Sequence, residues 1–344
     1  MGQISIIDVA KKAGVSKSTV SRVLTGGSVS EKAKKAVYLA VESLHYAPNQ
    51  MAQGLRGAKT HVIGAVLGQN NILMNPSVAT RIAGINSVLF DAGYSLLLIN
   101  VDMNHGAVSE AIRFLENHTV EGLIFLSYEE KEKEYKKILD YRPIVYTGEC
   151  LEPNKGFRVY LGNYHYSRDV YCYLLGNGHR TILSVFDTAY GEKLVKRRKE
   201  ACADACKMFN TSFDTMAFID RGESVIDSEK WLDTLYEKFV SCSATAIFVD
   251  SIEFANQIVN YFSRRGLNLL DDYSVIAIER VGLQGKKDTT ITAVCLPGFD
   301  YGEKCAKLLL EVLKDEKLKT QEISIPYTLE IRHSVKNITE LNAR

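Results

Sequence analysis

Lys17, Ser18, Ser21 and Arg22 follow one another in a run that also holds Ser16 and Thr19. Residues of these types suit a polyanion. Lys17 and Arg22 are long enough to reach base edges in a duplex groove, Arg22 best as a two-pronged donor to guanine O6 and N7. The hydroxyls of Ser16, Thr19 and Ser21 suit phosphate oxygens, which set register rather than sequence. A helix starting at Ser16 adds free backbone N–H groups and a positive dipole end, both favourable to phosphate.

The flanking residues predict the elements that hold this set in place. Ser5 is placed to cap a first helix, with Asp8 as its reciprocal partner three positions on. Ile6, Val9, Ala10 and Ala13 share one face of that helix. Gly14 ends it, and Ser16 caps the second, whose Val20, Val23 and Leu24 point inward. Gly26-Gly27 stops the second helix and Ser30 caps a third, with the stripe Ala33, Ala36, Val37, Ala40, Val41 and Leu44. Three short helices with a tight turn between the first two make a helix-turn-helix arrangement.

Charge separates this head from the rest of the chain. The formal net charge of the 344 residues is +1, yet residues 1–60 carry nine Lys/Arg against three acids. The remainder is therefore net acidic, and the basic head calls for a polyanionic partner. From about residue 61 the pattern becomes β-rich runs alternating with amphipathic segments, at 61–67, 94–101, 122–126, 143–147, 158–161, 181–186, 216–219, 244–249, 273–278 and 292–296. This alternation predicts parallel sheets of βαβ units. The number of runs exceeds what one such sheet usually holds, so two lobes are expected.

Other chemistries find little support. No run reaches the ~18 apolar residues of a membrane span, and residues 1–10 lack the pattern of a secretory signal. The seven scattered cysteines do not read as a disulfide framework, so the expected compartment is the reducing cytoplasm. Cys202 and Cys206 lack the further ligands of a zinc site and read as small buried hydrophobes. Residues 282–285 lack the Gly-Lys-Ser/Thr ending of a phosphate loop. His105, His118, His165 and His179 show no catalytic spacing, and no Gly-x-Ser-x-Gly elbow occurs. No enzyme activity, metal or cofactor is expected.

The run from Ser5 to Leu24, with Leu44-His45-Tyr46-Ala47-Pro48-Asn49 and Ala52-Gln53-Gly54-Leu55-Arg56, closely resembles the DNA-binding domain of the lactose/galactose repressor family of bacterial regulators. The resemblance implies that Lys17, Ser18 and Arg22 read bases. It implies that Asn49 to Arg56 form a hinge helix, with Leu55 wedged into the minor groove. The implied DNA-binding set is Ser5, Ser16, Lys17, Ser18, Thr19, Ser21, Arg22, Thr25, Asn49, Ala52, Leu55 and Arg56. Three departures stand out: Thr25 replaces the usual Asn, the loop at Gly26-Gly27-Ser28 is one residue short, and Gln53 sits where Arg is common.

The body is similar to the same family, through Gly93 to Leu98, Val120 to Ile124, Gly178 to Ile182, Ala246 to Phe248 and Asp271 to Ile276. The implied fold is α/β: a helix-turn-helix domain (1–47), a hinge helix and linker (48–60), and a type I periplasmic-binding-protein-like body of two Rossmann-like lobes. The lobes are expected at 61–161 plus 292–325 and at 162–291 plus 326–344, with crossovers near 161–162, 289–292 and 324–327. A ligand cleft is expected between them, at the carboxyl ends of the strands. The residues assigned to it by position are Asn70, Asn71, Ser77, Arg198, Asp250 and Glu279, with Arg197 as the alternative to Arg198. Ser77 and Val78 stand where the family commonly has aromatics, so the expected effector is small and strongly polar (a sugar or sugar phosphate), or else control falls to a protein corepressor. The implied protein is a homodimeric regulator of repressor type on a near-palindromic duplex operator. A solute-binding protein of the same body fold is the rival reading, and it leaves the basic head without a purpose.

Overall fold

The computed structural model describes residues 4–24, 27–44, 46, 59–68, 76–101, 107–126, 141–148, 156–186, 192–220, 229–282, 285 and 289–339. The chain divides into two compact units, Met1–Thr60 and His61–Arg344.

The first unit holds α1 (Ile6–Ala13), α2 (Lys17–Leu24) and α3 (Glu31–Leu44). At the start of α1 the Asp8 carboxylate accepts from both the Ser5 N–H (2.8 Å) and the Ser5 hydroxyl (2.7 Å). Those bonds favour the ionised form and hold the Asp8 pKa below the usual carboxylate range. Gly14 ends α1 in the left-handed region, at φ 65°. The apolar stripes meet in a small core of Val9, Ala10, Val20, Val23, Val37 and Ala40.

The second unit is built on two six-stranded sheets. The first has the order β11-β5-β4-β3-β1-β2 and the second β12-β10-β9-β8-β6-β7. Their strands are β1 (Val62–Gly68), β2 (Ser95–Val101), β3 (Gly122–Phe125), β4 (Ile144–Thr147), β5 (Phe157–Leu161), β6 (Ile182–Phe186), β7 (Ala217–Asp220), β8 (Ala246–Val249), β9 (Ser274–Val281), β10 (Thr292–Pro297), β11 (Gln321–Ile325) and β12 (Thr328–Glu330). Among the described strands the pairings are parallel except that of β10 with β12. The described helices of this unit are α4 (Pro76–Asp91), α5 (Ala107–Glu116), α6 (Asn163–Gly176), α7 (Glu192–Met208), α8 (Glu229–Ser241), α9 (Ile252–Arg264) and α10 (Gly298–Lys314). Each sheet has a hydrophobic core on both faces, as parallel sheets require.

One expected crossover moves. Strand β10 pairs in parallel with β9, Thr292 opposite Ile276, and so belongs to the second sheet. The chain leaves that lobe at Pro297-Gly298, not at 289–292, and residues 292–297 are not part of the first lobe. Burial enforces this: Ala293 and Val294 are fully buried in the second lobe's two cores. The return is at Ile325-Pro326, between β11 in the first sheet and β12 in the second.

In the first lobe α4 and α10 cross at contact distance. A Cβ on Gly302 would lie 2.0 Å from the Arg81 carbonyl oxygen, and one on Gly84 would lie 2.1 Å from that of Phe299. Each helix has a glycine where the other's backbone passes, so no larger residue fits at either point.

The chain beyond β12 is strapped to the second sheet. Ser334 bonds to Val275 through its backbone (2.8 Å) and its hydroxyl (2.6 Å), and accepts from the Thr292 N–H (2.7 Å). His179, 1% exposed, ties this strap to β6 and β8. Its Nε2 donates to the Lys336 carbonyl (3.2 Å), leaving Nδ1 to accept from the Thr245 hydroxyl (2.9 Å). The ring is thus satisfied in its neutral form, and burial lowers its pKa from 6.5 to about 4. A depressed histidine stabilises the fold fully above pH 6.5 and progressively less as pH falls toward 4. The expected loss over that window is up to about 3 kcal/mol. Urea midpoints of native protein and His179→Gln across this range check it: the native curve should fall more steeply with acid, and parallel curves would remove His179 from the account.

Candidate nucleic-acid interface and ligand cleft

Helix α2 presents Lys17, Ser18 and Arg22 as exposed side chains, with Thr19 and Ser21 half-buried. Val20 and Val23 turn inward, which fixes the rotation of the helix. Ser16 caps it: its hydroxyl oxygen accepts from the Thr19 N–H (3.1 Å) and lies 2.8 Å from Ser18 Oγ and 2.9 Å from Thr19 Oγ1. Ser5 differs from the rest of the set, because its N–H and hydroxyl are both held by Asp8. Thr25, Asn49, Ala52, Leu55 and Arg56 lie outside the described residues.

In the body, Arg198 and Asp250 converge at the carboxyl end of the second sheet. Along β8, Ala246 and Phe248 face the core between that sheet and α6/α7, and Asp250 continues the alternation just past the strand. Arg198, on α7, lies over the Phe186 ring (5.3 Å) and the Tyr166 ring (6.0 Å) and donates to the Tyr166 hydroxyl (3.1 Å). Both charges are 1% exposed. Among the described residues neither Asp250 side-chain oxygen has a hydrogen-bond partner, nor has Arg198 Nε. Burial pulls the Arg198 pKa down, but Tyr166 and Asp250 together lift it above the ordinary value. A group that donates to Asp250 and accepts from Arg198 would satisfy both. Arg197 is exposed and paired with Glu200 at 3.1 Å.

Glu279 is elsewhere. It shares the β9 face of Val275 and Ala277, which belong to the core opposite the one that holds Phe186 and Tyr166. Its carboxylate accepts from Arg332 Nη2 (2.7 Å) and from Cys295 Sγ (3.4 Å). Ser77 is half-buried in the first turn of α4, and Asn70 and Asn71 lie outside the described residues. Sequence reasoning missed Tyr166 and Phe186 as the shelf under Arg198. Phe186 ends β6, where strand ends were expected to face the cleft, and that position was its available signal.

Comparison with known proteins agrees with this geometry. Residues 5–49 match the model of bacterial regulatory proteins of the lacI family. Residues 60–221 match that of periplasmic binding proteins and the sugar-binding domain of the same family, and residues 172–335 match a periplasmic-binding-protein-like domain. The chain belongs to the lacI family of bacterial regulatory proteins. It is similar to catabolite control protein A of Priestia megaterium, with 28% identity over 97% of this chain and 99% of that protein. It is also similar to the transcriptional repressor PurR of Photobacterium profundum, with 26% identity and the same coverage. A solved lac repressor dimer bound to operator and an anti-inducer has the same fold: TM-score 0.79 at 20% identity, over 97% of this chain and 100% of that one. As a lacI-family member the chain is a DNA-binding transcription regulator with an effector-binding body. Among the described residues no helix is long and apolar enough to cross a membrane.

Proposed function

We propose that this regulator represses transcription as a homodimer on a near-palindromic operator, with its occupancy set by a small polar effector in the cleft of the body. The observation that carries the first part is the outward face of α2, where Lys17, Ser18 and Arg22 stand over a hydroxyl-lined helix end. Two such helices, one per protomer, suit two half-sites about one helical turn apart. The hinge role of Asn49, Ala52, Leu55 and Arg56 follows from the family likeness.

The effector part is supported by Arg198 and Asp250, whose unpartnered atoms suit a ligand bearing hydroxyls or charges of its own. Ser77, Asn70 and Asn71 are proposed to complete the site from the first lobe. Differential affinity for two lobe arrangements would then shift the DNA-bound population.

Selection of bound duplexes from a random pool tests the proposal. The expected product is a near-palindrome bound with steep salt dependence. Arg22→Ala should cost about 1–3 kcal/mol on that site and relax base preference at one position per half-site. Equal binding of selected and random duplexes by the native protein would overturn the reading.

A further inference from the structure

Two of the passages between the lobes meet at one side chain. The first runs from Leu161, at the end of β5, through Gly162 to Asn163, where α6 begins. The second runs from Ile325 through Pro326-Tyr327 to β12. Tyr166, 1% exposed, lies one helical turn beyond the first passage. Its hydroxyl donates to Asn163 Oδ1, and its ring packs edge-to-face on Tyr327 with centroids 5.9 Å apart. Tyr327 is itself anchored to α6, since its hydroxyl donates to Asp169 Oδ2 at 2.5 Å. The same Tyr166 hydroxyl accepts from Arg198 Nη2 at 3.1 Å.

We infer that Tyr166 is the positioning residue that ties the Arg198 end of the cleft to the backbone passages on which the lobes turn. The inference rests on the proposed reading of the cleft and adds a residue and a route to it. A phenol oxygen that donates to Asn163 has only its lone pairs left for the guanidinium. A ligand that draws Arg198 toward itself therefore loosens or breaks that bond, and the oxygen then adjusts against Asn163 and the ring against Tyr327. Rotation of one lobe against the other requires backbone torsion changes in just these connecting segments. Occupancy and lobe angle thus act on the same hydroxyl. Tyr171, on the same helix, also lies near Arg198, but its hydroxyl bond does not reach either passage. It is fully buried, and its hydroxyl pairs with Ser184 Oγ at 2.7 Å, inside the lobe.

That contrast supplies the test, made on the full-length unliganded protein with the duplex that the native protein selects from a random pool. Tyr166→Phe keeps the ring and removes the tie. Tyr171→Phe removes a comparable buried hydroxyl bond with no link to either passage. Tyr166→Phe should change operator Kd by at least about fivefold, the low end of an allosteric coupling, whereas Tyr171→Phe should leave it within about twofold for a similar loss in Tm. Asn163→Ala, at a half-buried position, should move Kd in the same direction as Tyr166→Phe and carries the test if the latter fails to fold. Small-angle scattering should show a changed radius of gyration for Tyr166→Phe alone of the two tyrosine variants. Equal Kd shifts in both tyrosine variants, or none in either, overturn the inference. Failure of the native protein to select any duplex is a different result: it removes the regulator reading, and the inference falls with it.

Discussion

Glu279→Ala is expected to lower the unfolding free energy by about 3–5 kcal/mol, the cost of breaking a buried ion pair. Glu279 is 1% exposed, and Arg332 bonds to it at 2.7 Å while also donating to the Ile291 carbonyl at 2.7 Å. The carboxylate, with its hydrogen bond, holds the guanidinium pKa above its ordinary value against the pull of burial. Truncation leaves a nearly buried cation without the Glu279 carboxylate, and it removes one of the bonds between β9 and the strap after β12, those of Ser334 with Val275 remaining. Replacing both partners by apolar residues of similar size should recover most of the loss, because desolvation of the pair offsets much of its attraction. Chemical denaturation of the two single variants and the double variant measures this. A cost under about 1 kcal/mol for Glu279→Ala would show that the carboxylate is not a structural partner.

Gly302→Val is expected to be equally severe, at about 3 kcal/mol or more, because it overpacks a backbone contact rather than a side-chain one. The Arg81 carbonyl already lies 2.0 Å from where a Cβ would be placed. Relief requires α10 to slide or lift from α4, which uncovers the first lobe's core around Ile85, Leu89, Leu308 and Leu309. Thermal unfolding with a dye for exposed apolar surface should show a lowered Tm and early dye binding. A native-like Tm would mean that the two helices have slack that their contact distance does not suggest.

The head was legible because its signals are local. Ser5 with Asp8, Gly14, Ser16 and Ser30 lie within a few residues of the ends they define, and each cap or turn is formed where the types predict. The two-lobe body was legible from its alternation of strands and helices for the same reason. What sequence could not supply is which strand pairs with which. Nothing within 292–297 says that the run completes the sheet of β9, and the crossover was therefore placed too early. Nor could sequence show the pairing of Glu279 with Arg332, 53 residues away, because strand alternation alone does not say which face of β9 a residue takes. The choice between Arg197 and Arg198, by contrast, was available. Ala201, Cys202 and Ala205 form the buried stripe of α7, and position 198 falls on that stripe at helical spacing while 197 does not.

The interleaving of the lobes has a consequence for biogenesis. Strand β5 pairs with β11, Phe157 opposite Gln321, so the first sheet stays incomplete until the ribosome has made about 160 further residues. At about 5–20 residues per second that is an interval of roughly 10–30 s. For that time the nascent chain has β5 as a bare edge and, beside it, the apolar surface that α10 will cover. An edge of this kind invites pairing with other chains. Yield in the cell should therefore depend on chaperone supply and on translation speed between residues 162 and 325, even for variants whose finished fold is as stable as the native one.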